Sequence, residues 1–328
     1  MNVKGIHHLS AMTGNVQGNF KFYTEVLGMR LIKKTVNQDD TTAYHLFYGD
    51  ERGNPGTELT FFDFPGIGPT KAGVSSISGT SLRVASDEAL RYWTERFTAH
   101  GVKHSPVTEF AGRNVIFFED PEGQQLALVS DETNEGVAAG TPWDRSPVPE
   151  ASAITGLGPV KLTVRKPEST VAVLGLLGFK ETRRVPALAE GQADIIVMQV
   201  GEGGTGAEVQ IEPRSDLSAA TPGKGGVHHV AFRVEDKEEL LAWIDILNQM
   251  KLPNSGFVER YYFRSLYFRE PNGILFELAT DGPGFDTDEP FETLGESLAL
   301  PPFLEHQRKS IEANLKPLDT KRNSWIDD

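Results

Sequence analysis

The stretches GIHHLS (Gly5–Ser10) and GVHHVAF (Gly226–Phe232) share one pattern: a glycine, an apolar residue, two histidines and another apolar residue. Histidine is scarce, 8 in 328 residues, so chance gives about 0.2 His-His pairs in such a chain. Two occur, and each opens an alternating apolar run of the kind that forms a half-buried strand. A strand duplicated this far apart implies a duplicated unit around it.

The unit is visible on working outward. GIHHLSAMT leads into NVQGNFKFYTEVLG, where Phe20, Tyr23 and Leu27 recur at helical spacing. Gly28 is the expected residue just past that helix. The strands RLIKKTV, TAYHLFYGD and TELTFFDF follow, with ERGNPG as a turn. The same order recurs as SLRVAS, DEALRYWTERFTAHG and NVIFFEDPEGQQLALVSD. It recurs again as PVKLTVRK, TVAVLGLLGF, ADIIVMQVG and GAEVQIEP, and a fourth time as VHHVAFRVED, EELLAWIDILNQM and SLYFREPNGILFELATD. Asp87 and Asp236 are expected as N-caps or first-turn acids of the second and fourth helices. The class is α+β, with four βαβββ modules. One such curved sheet cannot bury both faces alone, so two modules close a cup and four make two cup-shaped mixed sheets. The expected division is a two-module domain over 1–131, a Gly/Pro-rich linker over 132–153, a second two-module domain over 154–281, and a polar tail over 282–328. The tail's helical stretch PPFLEHQRKSIEANL is expected to pack across a cup.

Composition narrows the chemistry. Hydrophobic content of 38% and charged content of 24% describe a soluble globular chain. A net charge of −14 argues against a nucleic-acid partner, because phosphates reward Lys and Arg. The absence of cysteine excludes disulfides, thiolate metal sites and Cys nucleophiles. No apolar leader opens MNVKGIHHLS and no run approaches 18 apolar residues, so a cytoplasmic location with no membrane partner is expected.

Imidazole is the commonest protein metal ligand and carboxylate its usual companion. His228 and His229 open the fourth module, and Glu277 stands between Phe276 and Leu278 in its last strand. Strand alternation sends the two histidines of a pair to opposite faces, so one of each pair can ligate a shared ion while the other stands behind it or faces substrate. Taken alone, such a pair is more often half surface and half satisfied core, and a lone Glu277 is more often solvated. The repeat changes that weighing. Gly79 and Lys161 align with His229 in the middle modules, and Ala127 aligns with Glu277. Ligands in one cup and none in the other are what one metal site in a duplicated scaffold would leave.

FKFYTEVLGMRLIKK, the duplicated HH strands and ILFEL resemble the vicinal oxygen chelate superfamily, which includes glyoxalases, bleomycin-resistance proteins and extradiol dioxygenases. The resemblance runs to about Asp281. YHLFYGDERGNPGT, RYYFRSLYFREPNGILFELATDGPGF and LGESLALPP are similar to the ring-cleaving hydroquinone dioxygenases within it. It implies His8, His229 and Glu277 as metal ligands. It implies catalytic roles for His7 and His228, behind the metal or toward substrate, and for Arg260 and Tyr267 as substrate contacts. Ser10 stands where that subgroup often has Thr. The implied activity is extradiol-type opening of a hydroquinone or catechol-type ring with O2, using Fe(2+) or Mn(2+), since two His and a carboxylate leave open positions for substrate and oxygen. The partners are a small aromatic substrate and O2, with a homo-oligomer left open. The alternative is a glyoxalase-like lyase or isomerase with Zn(2+) or Ni(2+), which needs Glu58 as a fourth ligand. Aligning Gly56 with Gly273 instead places Thr60 opposite Glu277. A drug-sequestering cup would not need three ligands. With His8 in module one and the other ligands in module four, those two modules must face each other, against the tendency of sequence neighbours to pair.

Overall fold

The structure is a computed structural model and describes residues 1–133 and 135–321. Module one holds β1 (Ile6–Thr13), α1 (Val16–Lys21), β2 (Arg30–Asn37), β3 (Asp40–Gly49) and β4 (Glu58–Asp63). Module two holds β5 (Ser76–Val84), α2 (Asp87–Ala99), β6 (Thr108–Phe110), β7 (Arg113–Glu119) and β8 (Gln125–Ser130). Module three holds β9 (Ile154–Val164), α3 (Pro167–Leu176), β10 (Lys180–Val185), β11 (Ile195–Gln199) and β12 (Glu208–Pro213). Module four holds β13 (Gly226–Val234), α4 (Lys237–Gln249), β14 (Val258–Glu259), β15 (Arg264–Arg269) and β16 (Leu275–Thr280). Among the described residues no helix is long and apolar enough to cross a membrane.

Two eight-stranded mixed sheets result, ordered β14-β15-β16-β13-β1-β4-β3-β2 and β10-β11-β12-β9-β5-β8-β7-β6. The first joins modules one and four through antiparallel β1 and β13. The second joins modules two and three through β5 and β9. Each half of the sequence thus gives one module to each sheet.

The local expectations hold with informative exceptions. Asp236 caps α4 by accepting from Glu239 N. The cap of α2 is Ser86, with Asp87 in the first turn. After α1 the chain widens into a π turn over Phe22–Val26, where the Thr24 hydroxyl donates to the Phe20 carbonyl at 2.5 Å and so competes with the helical bond there. β10, KETRRV, escapes the alternation rule because it is an exposed edge with no apolar face. The alignment of Lys161 with His229 is corrected by register. Ser10 pairs with both His229 and Thr60, and Lys161 pairs with both Gly79 and Gln210. Lys161 is therefore the counterpart of Ser10, and Pro159 is that of His8; Gly79 does match His229, and Ala127 does match Glu277.

The opposite-face expectation for each His pair is also corrected. Between Ile6 and His8, β1 advances two residues while β13 advances one, and between His229 and Val227 the reverse holds. His7 and His228 are the extra residues of two β-bulges. A bulge re-aims its side chain, so neither follows simple alternation.

The tail lies across the first cup, as expected. Lys33 is wholly buried, with Nζ 2.7 Å from Asp288 and also paired to Glu289. Phe285 packs on Phe47 and stacks on Tyr262, at 5.0 and 5.4 Å between ring centroids. Leu304 of helix α5 (Pro302–Glu305) and Ile311 of helix α6 (Arg308–Asn314) cluster with Val36. Removing one partner of a buried pair typically costs about 3–5 kcal/mol. Lys33→Ala is expected to lower the urea midpoint by a corresponding amount at unchanged slope; an unchanged midpoint would mean that this clasp holds nothing.

Candidate metal centre

β1 and β13 bring His8 and His229 together, and β16 supplies Glu277 beside them. His8 Nε2 lies 3.3 Å from His229 Nε2 and 3.2 Å from Glu277 Oε2. His229 Nε2 lies 2.9 Å from the same carboxylate oxygen. Ligand atoms about 2.0–2.2 Å from one ion sit about 3 Å from each other, so the three atoms suit one divalent cation. All three side chains are buried. Ser265 Oγ donates to Glu277 Oε1 at 2.5 Å and leaves Oε2 buried, without a hydrogen-bond donor and aimed at the two imidazoles.

The charges favour a cation. Burial holds His8 down to about 4 even with Glu277 beside it, so its imidazole is uncharged near neutral pH. Burial pushes Glu277 up, but His8 and His229 outweigh it and hold the carboxyl well below its usual range. Glu277 Oε2 is buried with no hydrogen-bond donor, and burying a carboxylate oxygen in that way is costly until a cation meets it.

Each bulged histidine contacts its neighbour through the ring nitrogens. His7 Nε2 sits 3.0 Å from the Thr280 carbonyl, which can only accept, so Nε2 carries the hydrogen. With that hydrogen on Nε2, the uncharged form of His7 presents a bare Nδ1, 3.0 Å from His8 Nδ1. His8 donates there and keeps Nε2 free for an ion. Behind this pair Glu58 Oε2 lies 3.5 Å from His7 Nδ1. Burial raises Glu58 to about 6 against the pull of His7, while Glu58 keeps His7 above its usual value despite burial. His228 Nδ1 stands 2.7 Å from His229 Nδ1 and repeats the arrangement at the rim.

A cavity of about 270 Å³ opens onto His8 and His229. It is walled by Phe47, Phe62, Phe64 and Phe263, with Arg260 and Tyr267 on one side. Arg260 Nε donates to the Tyr267 hydroxyl at 3.2 Å, and its terminal nitrogens clasp Asp39 at 3.2 and 2.9 Å. Tyr261 holds φ at +73° in a tight turn closed by Tyr262 N to the Arg260 carbonyl. Such a conformation is unfavourable for a bulky residue and recurs at functional sites. Of the sequence candidates, His8, His228, His229, Arg260 and Tyr267 line this cavity. Glu277 reaches the ligand cluster from beneath. His7 does not line the cavity, so its place is behind His8 and not toward substrate. Thr60, not Glu58, holds the position matching Glu277.

Sequence reasoning passed over His45. It lies on the cavity wall between Phe47 and Phe62, at 4.0 and 4.1 Å between centroids, with Nε2 2.9 Å from Thr60 Oγ1. Thr60 Oγ1 is in turn 2.7 Å from Ser10 Oγ. Burial holds the His45 imidazole well below its usual value. The available signal was parity: in TAYHLFYG, Tyr44, Leu46 and Tyr48 face the helix-side core, which turns His45 and Phe47 inward.

The model of the Glyoxalase/Bleomycin resistance protein/Dioxygenase superfamily matches residues 5–128 and 156–278. The chain belongs to that superfamily. Among its members, a Bacillus subtilis (strain 168) protein named as a candidate ring-cleaving dioxygenase, MhqA, is 54% identical over 319 residues, spanning 97% of this chain and 100% of the relative. The chlorohydroquinone/hydroquinone 1,2-dioxygenase of Sphingobium indicum is 31% identical over 307 residues, spanning 92% of this chain and 93% of the relative. The crystal structure of a candidate dioxygenase from Bacillus subtilis subsp. subtilis str. 168 superposes with a TM-score of 0.87 at 34% identity, over 98% of this chain and 99% of that one. The sequence resemblance and the glyoxalase-type fold it implied are thereby borne out.

The orienting role of His7 has a measurable consequence. Partners that fix a metal-ligating His are typically worth about 10–100-fold in metal affinity. His7→Ala is expected to weaken metal binding by about that factor in a calorimetric titration, with the fold checked by circular dichroism. Undiminished affinity would reduce His7 to a space-filler.

Proposed function

We propose that this superfamily member is an Fe(II)-dependent ring-cleaving dioxygenase. It opens a hydroquinone-type ring in the extradiol sense, between a hydroxyl-bearing carbon and its ring neighbour, and works in the cytoplasm without a nucleic-acid or membrane partner. His8, His229 and Glu277 are the metal ligands. The observation that carries this reading is the convergence of three buried donor atoms within 3.3 Å on the floor of an aromatic-walled cavity. Two imidazoles and one carboxylate on one side of an ion are the non-haem Fe(II) arrangement. The names of the full-length relatives point the same way. Both oxygen atoms of O2 enter the product, which gains a carboxyl and a carbonyl group where the ring bond was.

A metal held by His8, His229 and Glu277 would supply the acidity of a bound substrate hydroxyl and the means for O2 to react with the ring. The remaining work belongs to the chain. Phe47, Phe62 and Phe263 grip the ring and exclude water. Uncharged His45 accepts the hydroxyl proton and passes it along Thr60 and Ser10. Arg260, held in place by Asp39, stabilises negative charge developing on oxygen. Burial and the nearby Glu277 raise the Tyr267 phenol, so it stays protonated and can return a proton. The lyase alternative loses its fourth ligand, because Glu58 is paired with His7 behind the site.

His8→Ala, His229→Ala and Glu277→Ala are each expected to lose stoichiometric iron while remaining folded, since both sheets have cores independent of the ion. Arg260→Ala and Tyr267→Phe are expected to keep iron and lose turnover by roughly 10²-fold, the typical loss for one such donor. Anaerobic loading with Fe(II), followed by oxygen uptake with methyl- and chlorohydroquinones, checks all five. Uptake of one O2 per ring opened is expected; no uptake with any hydroquinone or catechol would sink the assignment.

A further inference from the structure

The second cup is not an empty copy of the first. Its register gives a counterpart for each residue of the metal site. Gly79 replaces His229, Pro159 replaces His8 and Ala127 replaces Glu277. Phe117 pairs with Ala127 as Tyr267 pairs with Glu277, and Val115 pairs with Val129 as Ser265 pairs with Ala279. Counting back along the strand, Phe110 falls where Arg260 does, and Ala111 repeats the positive φ of Tyr261, at +50° against +73°. Every ligand and every proposed substrate donor of the first cup has become small or apolar.

One change runs the other way. Lys161 replaces Ser10. A side chain added at Gly79 would meet Lys161 Cβ at 3.3 Å and Cε at 3.4 Å, so the lysine stem lies over the glycine, where the first cup has an imidazole. Lys161 lines a cavity of about 250 Å³, nearly the volume of the metal cup, together with Phe110, Phe117, Val115 and Ala127. Among the described residues no carboxylate pairs with its ammonium. The nearby buried Glu208 is taken by Arg113 at 2.9 Å and Arg183 at 3.1 Å, two cations to one anion. The exposed Leu188 adds an apolar edge at the mouth. This cup is cationic in a chain of net charge −14.

We infer that the second cup is a binding site for a small aromatic carboxylate, with the Lys161 ammonium as the fixed cation where the first cup would hold a metal. The walls supply apolar contact and ring-edge packing. An apolar cavity of about 150 Å³ already accepts benzene, so the volume takes one ring with its carboxylate. A carboxylate is fully ionised near neutral pH whereas a phenol is not, and an unpaired ammonium selects the former. Ser81, whose position matches Ala231, adds a hydroxyl donor on the same wall. The inference stands on the second cup alone and does not depend on the reaction in the first.

Calorimetric titration of the iron-loaded protein with benzoate tests it, with benzyl alcohol as the neutral control. The expected result is saturable benzoate binding that is at least about tenfold weaker in Lys161→Met, the usual weight of a charge-assisted contact, and kept in Lys161→Arg. Gly79→Leu, which fills the cup against the lysine stem, is expected to lose it as well. Binding is expected to persist in His8→Ala, and Lys161→Met is expected to turn over hydroquinone as the parent does. Equal benzoate affinity in Lys161→Met and the parent would overturn the inference. So would loss of binding in His8→Ala with retention in Lys161→Met, which would place benzoate on the metal. Absence of saturable binding to the parent up to about 10 mM would overturn it too.

Discussion

The antiparallel pairing of β1 with β13 is the contact on which the rest depends. It ties the first module to the fourth, forces the second and third to pair with each other, and sets His8 beside His229. Nothing local achieves this, because the two strands are separated by more than half the chain. The bulges in that pairing matter as much as the pairing. A regular ladder would turn His7 away from His8; with the extra residue, its Nδ1 comes within 3.0 Å of His8 Nδ1. The ladder irregularity thereby sets which nitrogen of His8 is bare.

Much of this was legible in the chain. Two His-His strands and one Glu on an alternating apolar strand pointed to one site between the end modules, and the family resemblance named His8, His229 and Glu277 within it. The requirement that one ion touch both end modules sufficed to name the unusual pairing. What could not be read had physical reasons. Bulges depend on the partner strand, so the strand period alone sent His7 and His228 the wrong way. His45 carries no local motif and becomes visible only once β3 is known to turn it toward Phe62. The edge strand β10 has no apolar face to betray it. Lys161 was misplaced by two residues because the third module has no histidines to anchor the alignment; the paired registers place it opposite Gly79.

The two cups illustrate what duplication permits. One scaffold carries three converging buried donors suited to a cation. The other replaces each donor with a small or apolar side chain and brings in a lysine. Both keep the same backbone features: a bulge at His228 in one and at Ser78 in the other, and a positive φ at Tyr261 in one and at Ala111 in the other. Backbone geometry is held by the sheet, and chemistry is exchanged on top of it. The tail adds an asymmetry, since its Phe285 and its Asp288 and Glu289 contacts lie on the first cup.

The central claim is that one ion joins the two ends of the chain through His8, His229 and Glu277. Anomalous diffraction from crystals of the iron-loaded protein measures this directly. The account predicts a single peak bonded to His8 Nε2, His229 Nε2 and Glu277 Oε2 at about 2.0–2.2 Å. A peak bonded instead to His7 and Glu58, or to module four alone, would contradict it.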